Sequence, residues 1–312
     1  MGKKLRIGII GAGGIAHAHM KSYLEMSDVE IIGASDIVPG KARAFLDEFG
    51  LAKIPGFDDN ASLLQQKPDG VSVCSYNNTH SECACAAMEA GVNVLCEKPM
   101  SVTLEQAIQM ARCQVKTGKI LTIGFQPRYD ENMKMVKQIV RSGALGHIYY
   151  VQTGGGRRRG MPGGTFIKKD LAGVGCLADI GCYGLDMALN SVGYRKPVTV
   201  SAYASNHFGT NPKYHPNADE FEVDDFTSAF IRFEDGLVVY DLLPRDRRGA
   251  VCAYGIAEVP AFQVEVVGIA RVFERDLCLR MVAADVAVHE HIADRAVPRP
   301  APSALRMGGF NL

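Results

Sequence analysis

The chain has 312 residues, 47% hydrophobic and 22% charged, a composition that suits a soluble globular protein with room for one large domain or two ordinary ones. Lys plus Arg and Asp plus Glu each number 34, so no basic bias points to nucleic acid or an anionic membrane as a partner. The nine cysteines include no C-x-x-C pair, which argues against zinc-ribbon and thioredoxin-like sites, and several sit in apolar runs such as "VSVCS", as buried reduced thiols of a cytoplasmic protein do.

The opening "MGKKLRIGIIGAGGIA" has two lysines before an apolar run, like a signal peptide, but the run is short and broken by glycine. No stretch reaches the roughly 20 apolar residues of a membrane span. Apolar runs at Leu5–Ile10, Glu30–Ala34, Gly70–Cys74, Val92–Cys96 and Ile120–Ile123 predict strands. Amphipathic stretches over about 14–26, 39–48, 59–66, 80–90 and 103–116 predict the helices between them. That alternation reads as βαβ units, a parallel sheet with helices on both faces.

The first strand runs into Gly11, Gly13, Gly14 and Ala16, a G-x-G-x-x-A loop that opens a helix. The first glycine makes the tight turn, the second lets backbone approach a pyrophosphate, and the small third residue lets helix pack on strand. Asp36 follows Ala16 by twenty residues, at the end of the second strand. A carboxylate there accepts hydrogen bonds from the adenosine ribose and repels a 2′-phosphate, and Ile37 rather than arginine follows it. These features favour NAD over NADP, with Lys41 and Arg43 close enough to keep NADP in play. After the fifth strand, Glu97, Lys98 and Pro99 stand where open α/β sheets bind ligands, and a cis bond before the proline is plausible.

From about residue 128 the rhythm changes. A helix near 130–142 precedes "HIYYVQT", a Gly- and Arg-rich loop, and "GCLADIGCYGLD" at 175–186. Read as a helix, this last stretch is poorly made, since Gly181 and Gly184 each cost about 1 kcal/mol against alanine. Its Asp179 and Tyr183 lie four apart and so share one helix face. Next comes "DFTSAFIRFEDGLVVYDL", in which Phe226, Ser228, Phe230 and Arg232 alternate with Thr227, Ala229, Ile231 and Phe233 before a Glu234-Asp235-Gly236 turn. That is a β-hairpin, and long strands with few helices between them indicate a mainly antiparallel α+β domain.

Residues 244–312 contain nine arginines and no lysine, whereas residues 1–213 hold all fifteen lysines. The stretch reads as a divergent or disordered tail or, more sharply, as the product of a frameshift near residue 243. His289 and His291 form an H-x-H without a third ligand nearby, so no metal is expected.

The glycine loop, the E-K-P and a G-x-G-x-x-x-D-x-G-x-[HY] run ending at Tyr183 resemble the Gfo/Idh/MocA family of glucose–fructose oxidoreductases and inositol dehydrogenases. "SYNNTH" resembles the family's T-P-N-x-x-H turn through Asn77 and His80, with Tyr76 in place of proline, and "GFQPRY" its G-F-x-x-R-[FY] element through Arg128. The resemblance runs from residue 5 to about 243. It implies a Rossmann doubly wound parallel sheet over 1–125 that binds NAD(P), with Asn77, His80, Glu97 and Lys98 at the cofactor. It also implies a substrate domain over 126–312, whose open sheet often mediates homo-oligomerisation. Tyrosine in place of the more frequent histidine resembles the glucose–fructose oxidoreductase and dihydrodiol dehydrogenase branch.

On that footing Lys98, Asp179 and Tyr183 are the expected catalytic and substrate-binding set, joined by Arg128. Alcohol oxidation must take a proton from oxygen as hydride leaves carbon. Tyr183 is the expected acceptor, Lys98 the cation that favours its phenolate, and Asp179 the orienter of a substrate hydroxyl, with Gly181 and Gly184 letting backbone approach the ligand. "RRR" at 157–159, Lys168-Lys169 and the loop "NHFGTNPKYHP" at 206–216 are weaker candidates for substrate contact. The expected activity is NAD-dependent oxidation of a sugar, cyclitol or related polyol. An NAD-dependent glycosidase and a catalytically silent nucleotide-binding regulator remain the alternatives.

Overall fold

The computed structural model describes residues 3–154, 161–173 and 175–244. The arginine run at 157–159, the H-x-H pair and residues 245–312 of the suspected frameshifted stretch lie outside these residues.

The first half alternates as its periodicity predicts: β1 (Leu5–Ile10), α1 (Gly14–Glu25), β2 (Val29–Ser35), α2 (Lys41–Glu48), β3 (Gly56–Phe57), α3 (Asn60–Gln65), β4 (Gly70–Val73), α4 (His80–Glu89), β5 (Asn93–Cys96), α5 (Leu104–Thr117) and β6 (Leu121–Ile123). Six parallel strands lie in the order β3-β2-β1-β4-β5-β6, so the chain reverses its direction of winding between β1 and β4. Crevices at the carboxyl ends of strands flanking such a reversal are where open α/β sheets bind ligands. Side chains alternate faces along a strand, so Ile9 and Ile10 seed two cores. Ile9 packs with Ala16, Met20, Phe45 and Leu46 of α1 and α2, whereas Ile10 packs with Leu63, Met88 and Met110 of α3, α4 and α5. A sheet covered on both faces needs continuous apolar strands, which is how β1, β4 and β5 read. Strand β3, two residues long, has no periodicity to show and was not legible in the sequence.

The helix starts are built differently. Thr103 caps α5 by accepting from the Gln106 N–H at 3.2 Å, and Asp59 caps α3 by accepting from Ser62 N–H at 2.7 Å. Helix α1 begins at Gly13 with no side-chain cap and no acidic residue in its first turn.

The second half comprises α6 (Glu131–Arg141), β7 (Tyr150–Gly154), α7 (Lys169–Ala172), a five-residue π-turn (Leu177–Gly181) running into α8 (Cys182–Val192), then β8 (Pro197–Ser205), β9 (Phe226–Phe233) and β10 (Val238–Pro244). The sheet order is β7-β10-β9-β8, antiparallel except for the β7–β10 pair. The hairpin has the expected facing: Thr227, Ala229, Ile231 and Phe233 are buried, and Gly236 turns at φ 88°. Leu185 and Leu189 of α8 pack on Ile231, Phe233 and Val239. On the other face Tyr203 and Phe230 are exposed. The stretch Lys169–Val192 has the length and apolar composition of a membrane span, contrary to the sequence reading, but 65% of its apolar window is buried inside the protein, as in a core helix.

Candidate active site

At the end of β1, Gly11 adopts φ +89°, and a Cβ there would stand 2.7 Å from the Cys74 backbone, so only glycine lets the loop cross β4 this closely. A Cβ on Gly13 or Gly14 would meet nothing within 4 Å, so the loop faces open space at the uncapped start of α1. Unsatisfied N–H groups and the helix dipole make such an end an anion cradle, and these residues fit a dinucleotide pyrophosphate. Asp36 is nearly buried. Its Oδ2 accepts from Ala12 N–H at 2.8 Å, its Oδ1 from Val38 N–H at 2.9 Å, and Lys41 Nζ lies 3.0 Å from Oδ2. Burial pushes the carboxyl up, but the two N–H bonds and Lys41 together outweigh it and hold it below the usual carboxylate range.

Glu97-Lys98-Pro99 follows β5 with a cis Lys98–Pro99 bond. Glu97 is 4% exposed and is held by its neighbours. One oxygen sits 2.8 Å from His19 Nε2 and the other accepts from Lys98 N–H at 3.1 Å. His19 in turn contacts Ser72 Oγ at 3.0 Å, which meets the Tyr23 hydroxyl at 2.6 Å. This buried chain ties α1 and β4 to the E-K-P turn, and sequence reasoning missed it. The spacing signal was slight: His19 lies one turn past Ala16, on the helix that opens at the glycine loop.

Two expected cofactor ligands occupy structural positions. His80 is 1% exposed, with Nδ1 2.7 Å from Pro99 O and Nε2 3.3 Å from Ser75 O. Burial keeps its pKa below the usual histidine value, so it braces the cis-proline turn as a neutral ring. Asn77 donates to Ala172 O at 3.0 Å and fastens its turn to α7.

Lys98, Asp179 and Tyr183 do come together. Lys98 Nζ donates to both Asp179 Oδ1 and the Asp179 main-chain oxygen, each at 2.9 Å, and lies 5.0 Å from the centre of the Tyr183 ring. The π-turn is what presents that carbonyl: the wider coil re-registers the main chain, and Cys182 N–H reaches back to Leu177 O. Burial pulls the lysine pKa down, but the charge and hydrogen bond of Asp179 carry it above the usual value, so the ammonium is fixed. Tyr183 is packed edge-on by Phe125 at 6.2 Å and hydrogen-bonded by Gln126. Here the sequence expectation needs correcting. Lys98 does favour the phenolate, but burial outweighs it and Glu97 adds to burial, so the phenol is raised above its usual range near 10.

Two further expected site residues meet the protein itself. A Cβ on Gly184 would stand 2.8 Å from Thr153 Oγ1, so this glycine lets α8 lie close on the second sheet. Arg128 grips the buried Asp186 through Nε at 2.8 Å and through Nη2, and Nη2 also donates to the Tyr194 hydroxyl at 2.7 Å. A guanidinium engaged this way anchors α8 to the segment after β6. Among the weaker candidates, Lys168 pairs with Glu220 at 2.9 Å. The 206–216 loop is pinned: Asp225 accepts from Phe208 N–H at 2.7 Å, and His215 contacts Pro162 O at 3.0 Å.

Comparison with known proteins adds to this geometry. The sequence profile described as the GFO/IDH/MocA oxidoreductase family, NAD-binding Rossmann fold, matches residues 5–125, and the GFO/IDH/MocA C-terminal domain profile matches residues 133–243. D-glucoside 3-dehydrogenase of Escherichia coli is 36% identical over 76% of this chain and 69% of its own length. Myo-inositol 2-dehydrogenase of Thermotoga maritima is 34% identical over 46% of this chain and 42% of its own length. The chain thus spans about two thirds of the first relative and less than half of the second. Among solved structures, the aldose-aldose oxidoreductase of Caulobacter crescentus complexed with glycerol superposes with a TM-score of 0.66 and 28% identity, over 77% of this chain and 70% of that one.

Proposed function

The chain belongs to the GFO/IDH/MocA oxidoreductase family, with its NAD-binding Rossmann fold, and from that premise we propose that it moves a hydride between nicotinamide and a secondary hydroxyl of a sugar, cyclitol or related polyol. The observation that carries this reading is the convergence of Lys98, Asp179 and Tyr183 at the carboxyl end of β5. The names of the relatives support the substrate class.

When bound, the nicotinamide accepts or returns the hydride. The chain's own residues handle the proton. In oxidation the C–H bond of the carbinol breaks with both electrons leaving as hydride, the O–H proton passes to the Tyr183 oxygen, and a C=O bond forms. Two of the three Lys98 N–H groups go to Asp179. The third stabilises negative charge on the reacting oxygen, where a preorganised donor in a dry site is most effective. Asp179 holds the ammonium and orients a neighbouring hydroxyl. Because Tyr183 is raised above its usual range, it is protonated at neutral pH and donates readily in the reductive direction, while oxidation gains from alkaline conditions.

The same reading takes residues 1–125 as the nucleotide-binding domain and the remainder as the substrate domain. It places the protein in the cytoplasm, consistent with its buried thiols, and has it pair with further copies through the exposed face of the second sheet. The experiment is a screen for NADH formation over glucosides, inositols and free aldoses at pH 7 to 10. Turnover of at least one class supports the proposal, and none across all three with NAD bound would refute it.

A further inference from the structure

The turn after β2 carries a feature that the hydride-transfer chemistry does not use. Asp36 is fixed from two sides by main-chain N–H groups and is anionic, held below the usual carboxylate range. An isolated carboxylate in that place opposes a 2′-phosphate, which brings about two negative charges. This carboxylate is not isolated. Gly40, at φ 75°, folds the chain back so that Lys41, the first residue of α2, sets its Nζ 3.0 Å from Asp36 Oδ2. The lysine side chain remains 38% exposed, so it is open to a ligand as well as to its partner.

The other cation of the turn is committed. Arg43 donates to Ile54 O and to Leu51 O of the loop after α2 and pairs with Asp47 of α2 at 2.9 Å. Ile37 and Val38, at 67% and 46% exposed, add apolar surface but no charge to the turn. Among the described residues, the charge beside Asp36 is therefore that of Lys41.

We propose that Lys41 is the residue that sets dinucleotide selectivity: paired with Asp36 it cancels the charge that excludes a 2′-phosphate and supplies a cation to meet one, so the protein binds both NAD and NADP. The inference rests on the nucleotide reading above and sharpens its preference for NAD into a small one. It predicts that selectivity changes when the lysine is removed, with the carboxylate left in place.

The test is titration of full-length protein with NADH and NADPH in the absence of substrate. The chain contains no tryptophan, so the dihydronicotinamide's own fluorescence is the signal. The unmodified protein should bind NADPH within about tenfold of NADH. Lys41→Met should weaken NADPH by about tenfold or more while NADH changes less than about threefold, because only the phosphorylated ligand brings negative charge against a carboxylate that has lost its cation. Lys41→Arg should restore the original ratio, and added salt should weaken NADPH more than NADH. Retained NADH binding reports that each variant is folded. A ratio of the two Kd values that Lys41→Met leaves within about twofold of the unmodified protein overturns the proposal. If the unmodified protein binds neither dinucleotide, the nucleotide reading itself falls, a pattern distinct from NADH bound at an unmoved ratio.

Discussion

Two cation–aspartate pairs join the segments after the parallel strands to one stretch of helix, and they are built for different ends. Asp186 is 1% exposed, and Arg128 meets it with a fork that Tyr194 helps to hold. Asp179 lies seven residues earlier and takes Lys98, whose side chain is 15% exposed against 17% for its own, beside the Tyr183 ring. The fork is planar and bidentate, which suits a fixed anchor. The ammonium is a point charge with a donor to spare, which suits a reaction. Residue type and the geometry of the contact, more than distance, separate the structural pair from the chemical one.

The comparison breaks most visibly at Lys98. Lys98→Met should lower kcat by about 10²- to 10⁴-fold with NADH affinity little changed, and should lower Tm as well because Asp179 loses its cation, as measured by steady-state kinetics and thermal melts. The double variant with Tyr183→Phe should be hardly worse than the more damaged single one, since groups acting as a unit do not add. If Lys98→Met lowers Tm but spares kcat, the two pairs have been assigned the wrong way round.

The anchor should lose stability without losing turnover. Asp186→Ala leaves the guanidinium facing a buried gap, and removing one partner of such a pair costs about 3 kcal/mol, the low end of the range because the arginine tip keeps some solvent. Chemical denaturation should show this loss, while kcat per folded molecule stays within a few fold. Arg128→Lys should fall between, keeping the charge and losing the fork.

A smaller effect is expected at Asp36, which has a cation partner but no catalytic duty. Its folded pKa is depressed, so its contribution to stability is present above the unfolded value near 4 and is lost as pH falls through the folded value. Asp36→Asn should therefore flatten the acid side of the stability curve and leave the alkaline side alone. Denaturation midpoints from pH 2 to 7 check it, and an unchanged acid slope would remove Asp36 from the account.

What the sequence made legible follows from how local each signal is. Strand β1, its glycine loop and the β9–β10 hairpin are written in period and turn residues, and the structure has them within a residue or two. Strand β3 is held by pairing to β2 and by packing against α2 and the core, which no two-residue segment announces. Lys98, Asp179 and Tyr183 stood out through spacing and chain order. Their partners did not: Asp186 is 58 positions from Arg128, and Glu97 is 78 from His19, separations that a single sequence cannot join. The π-turn is invisible for another reason, since it depends on a hydrogen-bond pattern and not on composition. The sign at Tyr183 was missed because burial, a property of the packed molecule, outweighs the neighbouring charge that the sequence showed.

The claim at the centre is that Tyr183 carries the proton and Lys98 supports it. The most direct measurement is the pH profile of kcat/KM for oxidation by the full-length protein and by Tyr183→Phe, over pH 6 to 11 on the best substrate of the screen. With the phenol raised by burial, the unmodified enzyme should gain rate steadily toward and beyond pH 10, and Tyr183→Phe should lose about 10²-fold or more along with that limb. If Tyr183→Phe keeps more than about a third of kcat and the same alkaline limb, the proton leaves by another route and the central claim is wrong.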